Sequence, residues 1–155
     1  MIIQGVKIKE ITRHFDDRGF FSEIVKKGEE TFKEIKQTSY TETYPGVIKA
    51  FHWHNKQYDI WFPIKGSIQV VLYDLRKDSP TFKQTQVIYA GEDKPLLILI
   101  PPQVAHGYRV LGNKSAGLFY HTSEVIILII LMKKELILMT KILILIGRRK
   151  INNLF

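Results

Sequence analysis

Short runs of β-branched and aromatic residues, each closed by a turn former, leave this chain few folds to choose from. The runs cover residues 47–53, 58–64, 67–75, 85–90, 96–100, 107–111 and 118–122. Between them stand Pro45-Gly46, Lys65-Gly66, Asp78-Ser79-Pro80, Gly91, Pro101-Pro102 and Gly112-Asn113. Segments this short, at this near-regular spacing and with this punctuation, read as the strands of an all-β sandwich or barrel. Upstream, residues 8–15, 20–25 and 37–43 are expected to add strands, and residues 29–36 one or two helical turns. No repeat or low-complexity linker breaks the text before Glu124, which predicts one domain over residues 1–124. The chain has 155 residues and no cysteine. That length can bury its own core, and disulfides, thiolate zinc sites and a Cys nucleophile are excluded.

The formal net charge of +8 would suggest nucleic acid or an anionic membrane, were it spread over the domain. It is not. Residues 1–124 carry 17 basic and 14 acidic side chains, whereas residues 125–155 carry 6 and 1. Twenty of those last 31 residues are Val, Ile, Leu, Met or Phe. Lys133, Lys134, Glu135 and Lys141 interrupt them, so no clean stretch of about 20 apolar residues is left for a membrane helix. An interfacial helix would need a cleaner polar face. The reading preferred here is a tail translated out of frame. With AT-rich codons from Val125 onward and the frame moved back one base, the tail becomes acidic and Pro-punctuated, opens with Tyr, Asn and Pro, and ends in a stop. The expectation is therefore no nucleic acid and no membrane partner. Lys7, Lys9 and Glu10 interrupt the first residues, so no signal peptide is read and the expected location is cytoplasmic.

His52 and His54 stand two apart in an expected strand, which points both imidazoles to one sheet face and gives Phe51 and Trp53 the other. In a barrel one face looks into the lumen. The spacing is Gly46, five residues, His52-Trp53-His54, four residues, Asp59, six residues, Gly66. It resembles the first signature of the cupin superfamily, with Asp in place of Glu. The second cupin signature is partial: Pro101 and His106 match, but Gln103 stands where Gly is expected and Val110 where Asn is.

Within the cupins, the run Asp16-Asp17-Arg18-Gly19-Phe20-Phe21-Ser22-Glu23 resembles the D-x-R-G-x-F-x-E motif of dTDP-4-dehydrorhamnose 3,5-epimerases. So do Gln37 before a Ser/Thr-rich strand, the run Asp74-Leu75-Arg76-Lys77-Asp78-Ser79-Pro80-Thr81-Phe82, and the run Ile100-Pro101-Pro102-Gln103-Val104-Ala105-His106-Gly107-Tyr108. The resemblance spans roughly residues 8–124 and implies a double-stranded β-helix (jelly-roll) barrel. It also implies a cofactor-free isomerase of deoxysugar and polysaccharide biosynthesis. Such an enzyme takes a proton from carbon beside the 4-keto group of a nucleotide-linked 4-keto-6-deoxy sugar. His52 would be the base and Tyr120 the acid; an imidazole can accept a proton at neutral pH and a phenol can donate one. Arg18, Phe21, Glu23, Gln37, Lys49, Gln57 and His106 would bind substrate: Arg18 at phosphate, Phe21 by stacking, Lys49 where the family carries Arg. A homodimer is implied, because the family's N-terminal strand contributes to its neighbour's site.

Three departures open alternatives. Asp59 stands where the family has an enolate-stabilising Lys, and His54 where it has Gln. The acidic partner of the base comes from C-terminal sequence that here is absent or out of frame. His52, His54, Asp59 and His106 are together a donor set for a divalent transition metal, which gives a metal-dependent cupin enzyme as the second reading. A non-catalytic sugar-nucleotide binder is the third. For Asp59 a structural bond to His54 or Lys56 is the plainer role. His14 and His121 are expected at the surface or in packing, Trp53, Trp61 and Phe62 in barrel packing or, for some, lining a sugar cavity, and Lys26-Lys27 and Arg76-Lys77 as solvated loop charges.

Overall fold

A computed structural model describes residues 2–125; the tail read as out of frame lies, but for Val125, outside the described residues. The strands are β1 (Lys7–Glu10), β2 (His14–Asp16), β3 (Gly19–Phe21), β4 (Gln37–Thr43), β5 (Ile48–His52) and β6 (Asp59–Lys65). They continue with β7 (Ser67–Asp74), β8 (Thr85–Gly91), β9 (Leu96–Ile100), β10 (Val104–Leu111) and β11 (Ala116–Thr122). A five-stranded sheet, β1-β9-β6-β11-β4, faces a four-stranded sheet, β5-β10-β7-β8, and β2-β3 forms a separate hairpin. The all-β reading holds.

The core between the sheets follows from alternation. Ile68, Val70 and Leu72 of β7, Trp61 of β6, Ile98 and Ile100 of β9, Tyr108 and Val110 of β10 and Leu118 of β11 pack in one cluster. Strand β9 reads Leu-Leu-Ile-Leu-Ile without alternation because both its faces are covered. Its outer face, Leu97 and Leu99, joins Ile60 and Phe62 beneath Ile24, Val25 and Ile35 of the long connection before β4. Glycine is required where strands turn or crowd. Gly66, at φ 64, lies in the β6–β7 turn, and a Cβ there would fall 2.5 Å from the Ser115 carbonyl oxygen.

Four expectations need correction. The single strand over 8–15 is two, because the last partner of β1 is Leu96, opposite Glu10, and the Ile11 amide then reaches Pro95, just before β9 begins. The expected strand over 20–25 ends at Phe21, and the chain that follows packs its apolar residues on the sheet's outer face. Residues 29–36 form no helix; an isolated bond from the Phe32 amide to the Glu29 carbonyl makes one turn, and Glu29 is drawn instead to Lys9 at 2.6 Å. Arg76 is not a solvated charge. It clamps the buried carboxylate of Asp74, with Nε at 2.8 Å from Oδ1 and Nη2 at 2.8 Å from Oδ2.

Candidate active site

Register places the polar residues of the interior. His52, the last residue of β5, lies opposite His106 of β10, and directly opposed residues project from one face of a sheet. Across the barrel, Trp61 of β6 is opposed to Tyr120 of β11, and Asp59 to Thr122. Strand β4 adds Ser39 beside Tyr120 and Gln37 beside Thr122. Alternation along β6 puts Asp59 on the face of Trp61, which is 2 % exposed and part of the core. Both sheets thus send polar groups into the same end of the barrel. His54 lies two residues past the end of β5, so the pair His52/His54 is not one strand as expected. A bond from the Gln103 amide to the His54 carbonyl at 2.7 Å ties the extension down.

The side chains meet closely. The rings of His52 and His106 are 4.5 Å apart, edge to face, those of His54 and His106 5.7 Å, and those of His52 and His54 6.0 Å. Trp61 meets His106 at 5.1 Å with perpendicular rings. The Asp59 carboxylate accepts the Gln57 amide at 3.2 Å and lies 3.6 Å from His54 Nε2 and 3.8 Å from His106 Nε2. His106 Nδ1 is 2.9 Å from the Val104 carbonyl. A carbonyl only accepts, so Nδ1 carries the hydrogen. Nearby, the Tyr108 hydroxyl bonds Thr43 Oγ1 at 2.7 Å, and Lys49 reaches from β5 to Thr41 Oγ1 at 2.7 Å.

Burial sets the charges. It pushes His52 down to about 3, with His106 and His54 beside it adding to the shift. Burial likewise takes His106 down to about 3, against the opposing bond to Val104. Asp59 is pushed up to about 6 by burial, against the pull of His54 and the Gln57 bond. Both interior imidazoles are therefore neutral at neutral pH.

Of the residues singled out in the sequence, His52, His54, Gln57, Asp59 and His106 come together, and Tyr120, Gln37 and Lys49 lie on strands that border them. Arg18, Phe21 and Glu23 do not join them within one chain. Arg18 lies on the β2–β3 hairpin, paired to Asp16 at 2.5 Å; Phe21 is 66 % exposed, and Glu23 pairs with Lys26 at 3.2 Å. Of the four residues expected as a metal donor set, His54, Asp59 and His106 have donor atoms that all lie within 4.8 Å of one another. Asp59 bonds Gln57 and approaches His54, while no Lys56 pairing accompanies it. Trp61 packs in the core as expected, and its ring also borders the histidines, 5.1 Å from His106 and 6.4 Å from His52.

A sequence profile described as dTDP-4-dehydrorhamnose 3,5-epimerase matches residues 1–126. The chain belongs to this epimerase family. It is 54 % identical over 122 residues to the spore coat polysaccharide biosynthesis protein SpsL of Bacillus subtilis (strain 168), covering 79 % of this chain and 81 % of that one. It is 30 % identical over 124 residues to a probable low-salt glycan biosynthesis epimerase of Haloferax volcanii, covering 79 % and 80 %. Among solved structures, the Legionella pneumophila dTDP-6-deoxy-D-glucose-3,5-epimerase in complex with dTDP-4-keto-L-rhamnose superposes with a TM-score of 0.75 at 25 % identity. That match covers 82 % of this chain and 71 % of the other. The barrel is thus the cupin-like jelly roll of these epimerases, and the chain is an isomerase of deoxysugar biosynthesis. Among the described residues no helix is long and apolar enough to cross a membrane.

Proposed function

We propose that this epimerase inverts one or two carbons flanking the 4-keto group of a nucleotide-linked 4-keto-6-deoxy sugar, with His52 as base and Tyr120 as acid. The single observation that carries the roles is the neutral, half-buried His52 imidazole held between His106 and Trp61, on the interior that Tyr120 faces from the opposite sheet. His52 takes the proton from carbon, the electron pair moves onto the keto oxygen as an enolate, and the Tyr120 hydroxyl returns a proton from the other side. Solvent then restores both groups. Gln37, Lys49, Gln57 and His106 line the sugar side of the site.

The nucleotide would be held by Arg18 at phosphate, Phe21 stacked on the base and Glu23. The exposure of Arg18 and Phe21 on a hairpin that pairs with neither barrel sheet supports a homodimer in which each hairpin completes its neighbour's site. A cytoplasmic enzyme consuming a soluble sugar nucleotide is the matching location. The catalytic domain is residues 1–124, and residues 125–155 are an out-of-frame tail; the end of the family match at residue 126 supports that boundary. A gene sequence running cleanly in frame through the Glu124 and Val125 codons would remove the tail hypothesis.

The test is proton NMR of dTDP-4-keto-6-deoxyglucose incubated with the chain in heavy water. Deuterium is expected at C3, C5 or both, and exchange at one carbon alone identifies a monoepimerase. Ligand-induced shifts without any exchange would replace this reading with that of a non-catalytic binder.

A further inference from the structure

Proton abstraction beside a ketone needs positive charge at the enolate oxygen, yet the interior next to His52 offers a carboxylate, Asp59, flanked by imidazoles. We propose that His54 Nε2, Asp59 Oδ2 and His106 Nε2 bind one divalent transition-metal ion, leaving His52 beside it free as the base.

Three observations carry the site. First, the donors converge: Asp59 Oδ2 is 3.6 Å from His54 Nε2 and 3.8 Å from His106 Nε2. Ligands about 2.1 Å from a tetrahedral ion stand roughly 3.4 Å apart, so small side-chain movements close the set. Second, His106 is 1 % exposed, and its Nε2 makes no hydrogen bond among the described residues. Because Nδ1 donates to the Val104 carbonyl, Nε2 presents a lone pair to the carboxylate oxygen. Two acceptors so placed repel each other, and a cation between them satisfies both. Third, the outer contacts suit metal ligands, which are usually fixed through their second polar atom. His106 is held by Val104, and Asp59 by the Gln57 amide, 3.2 Å from Oδ1 and, less closely, 3.4 Å from Oδ2.

Two imidazoles and one carboxylate suit Fe, Mn, Ni, Co or Zn, and three protein ligands leave coordination positions open. A keto oxygen bound there would gain the positive charge that the residue at position 59 does not supply. That catalytic consequence rests on the epimerase reading above, whereas metal binding does not.

The test is a titration of the chelator-stripped full chain with Co(II), read by visible d–d absorption, alongside His54→Gln, Asp59→Asn and His52→Asn. One Co(II) per chain is expected. Affinity should fall at least about 10-fold in His54→Gln and in Asp59→Asn, and hold in His52→Asn. Near-UV circular dichroism identifies any variant that has lost its fold; His54 at the rim and the near-isosteric Asp59→Asn keep the question answerable. Absence of saturable binding, or binding indifferent to both ligand variants, overturns the site. Equal loss in His52→Asn overturns the separation of base from metal. For catalysis, chelation should suppress deuterium exchange and Co(II) restore it, while Asp59→Lys should exchange without metal. Failure of exchange under every condition would sink the epimerase reading and leave the Co(II) titration to decide the site.

Discussion

Replacing Tyr120 by Phe removes one oxygen and leaves the ring packed against the core. A lost general acid costs about 100-fold or more, so epimerised product should fall by that much while deuterium still enters through His52. Equal loss of exchange and of product would exclude Tyr120 as the acid. Gln103 carries a different kind of information. It adopts φ 60, the left-handed region that favours Gly, with its amide bonded to His54 and its carbonyl to Leu75. The cupin resemblance expects Gly here, and the backbone keeps the glycine shape without the glycine. Relief of about 1–2 kcal/mol of side-chain strain outweighs about 0.4–1 kcal/mol of unfolded-chain entropy. Gln103→Gly should therefore raise the denaturation midpoint at an unchanged slope; a lowered midpoint would refute the strain.

At the scale of elements, the Asp74–Phe82 motif serves structure. Asp74 closes β7 fully buried and accepts bonds from Arg76, from Ser79 Oγ at 2.7 Å and from Thr81 Oγ1 at 2.6 Å. Burial alone would raise its pKa, but Arg76, Thr81 and Ser79 together hold it well below the ordinary 3.8. The unfolded chain thus takes up this proton at higher pH than the folded one. The stabilisation is complete above about pH 5 and is lost as pH falls from there towards the depressed folded value. Asp74→Asn should lower stability at neutral pH by about 2–3 kcal/mol and flatten that part of the acid limb. Thermal melts of both proteins between neutral pH and the acid limit check it; an unchanged acid limb would assign the loss elsewhere. Strand β9 makes a simpler case. Leu99 is 2 % exposed in the outer cluster, so Leu99→Ala should cost about 2–5 kcal/mol by chemical denaturation.

For the whole molecule, the hairpin carrying Arg18 and Phe21 and the barrel carrying His52 are separate pieces whose partnership can be assigned. If each hairpin serves its neighbour, coexpression of Arg18→Ala with His52→Asn yields mixed dimers that have one intact site. About a quarter of wild-type turnover should return, although each variant alone is inactive or weak. No recovery beyond the separate variants would place the hairpin on its own barrel. The charge balance belongs to this scale too. The domain's 17 basic and 14 acidic residues nearly cancel, so the chain's overall +8 says nothing about its ligand.

The sequence by itself determined the sheet class, nearly every strand from β4 onward, and the residues His52, His54, Gln57, Asp59 and His106 as chemical candidates. Period-2 burial and turn residues are local signals, and spacing along one segment survives folding. It did not show that β1 and β2 are separate, because a strand ends where its partner ends, and Pro95 lies far along the chain. Nor did it divide the four metal candidates into three converging donors and a neighbouring imidazole, His52. That division depends on how β5, β6 and β10 cross at one end of the barrel, and on a carbonyl at Val104 fixing which nitrogen of His106 is bare. Such choices are made by contacts between distant segments, which only the tertiary structure brings together.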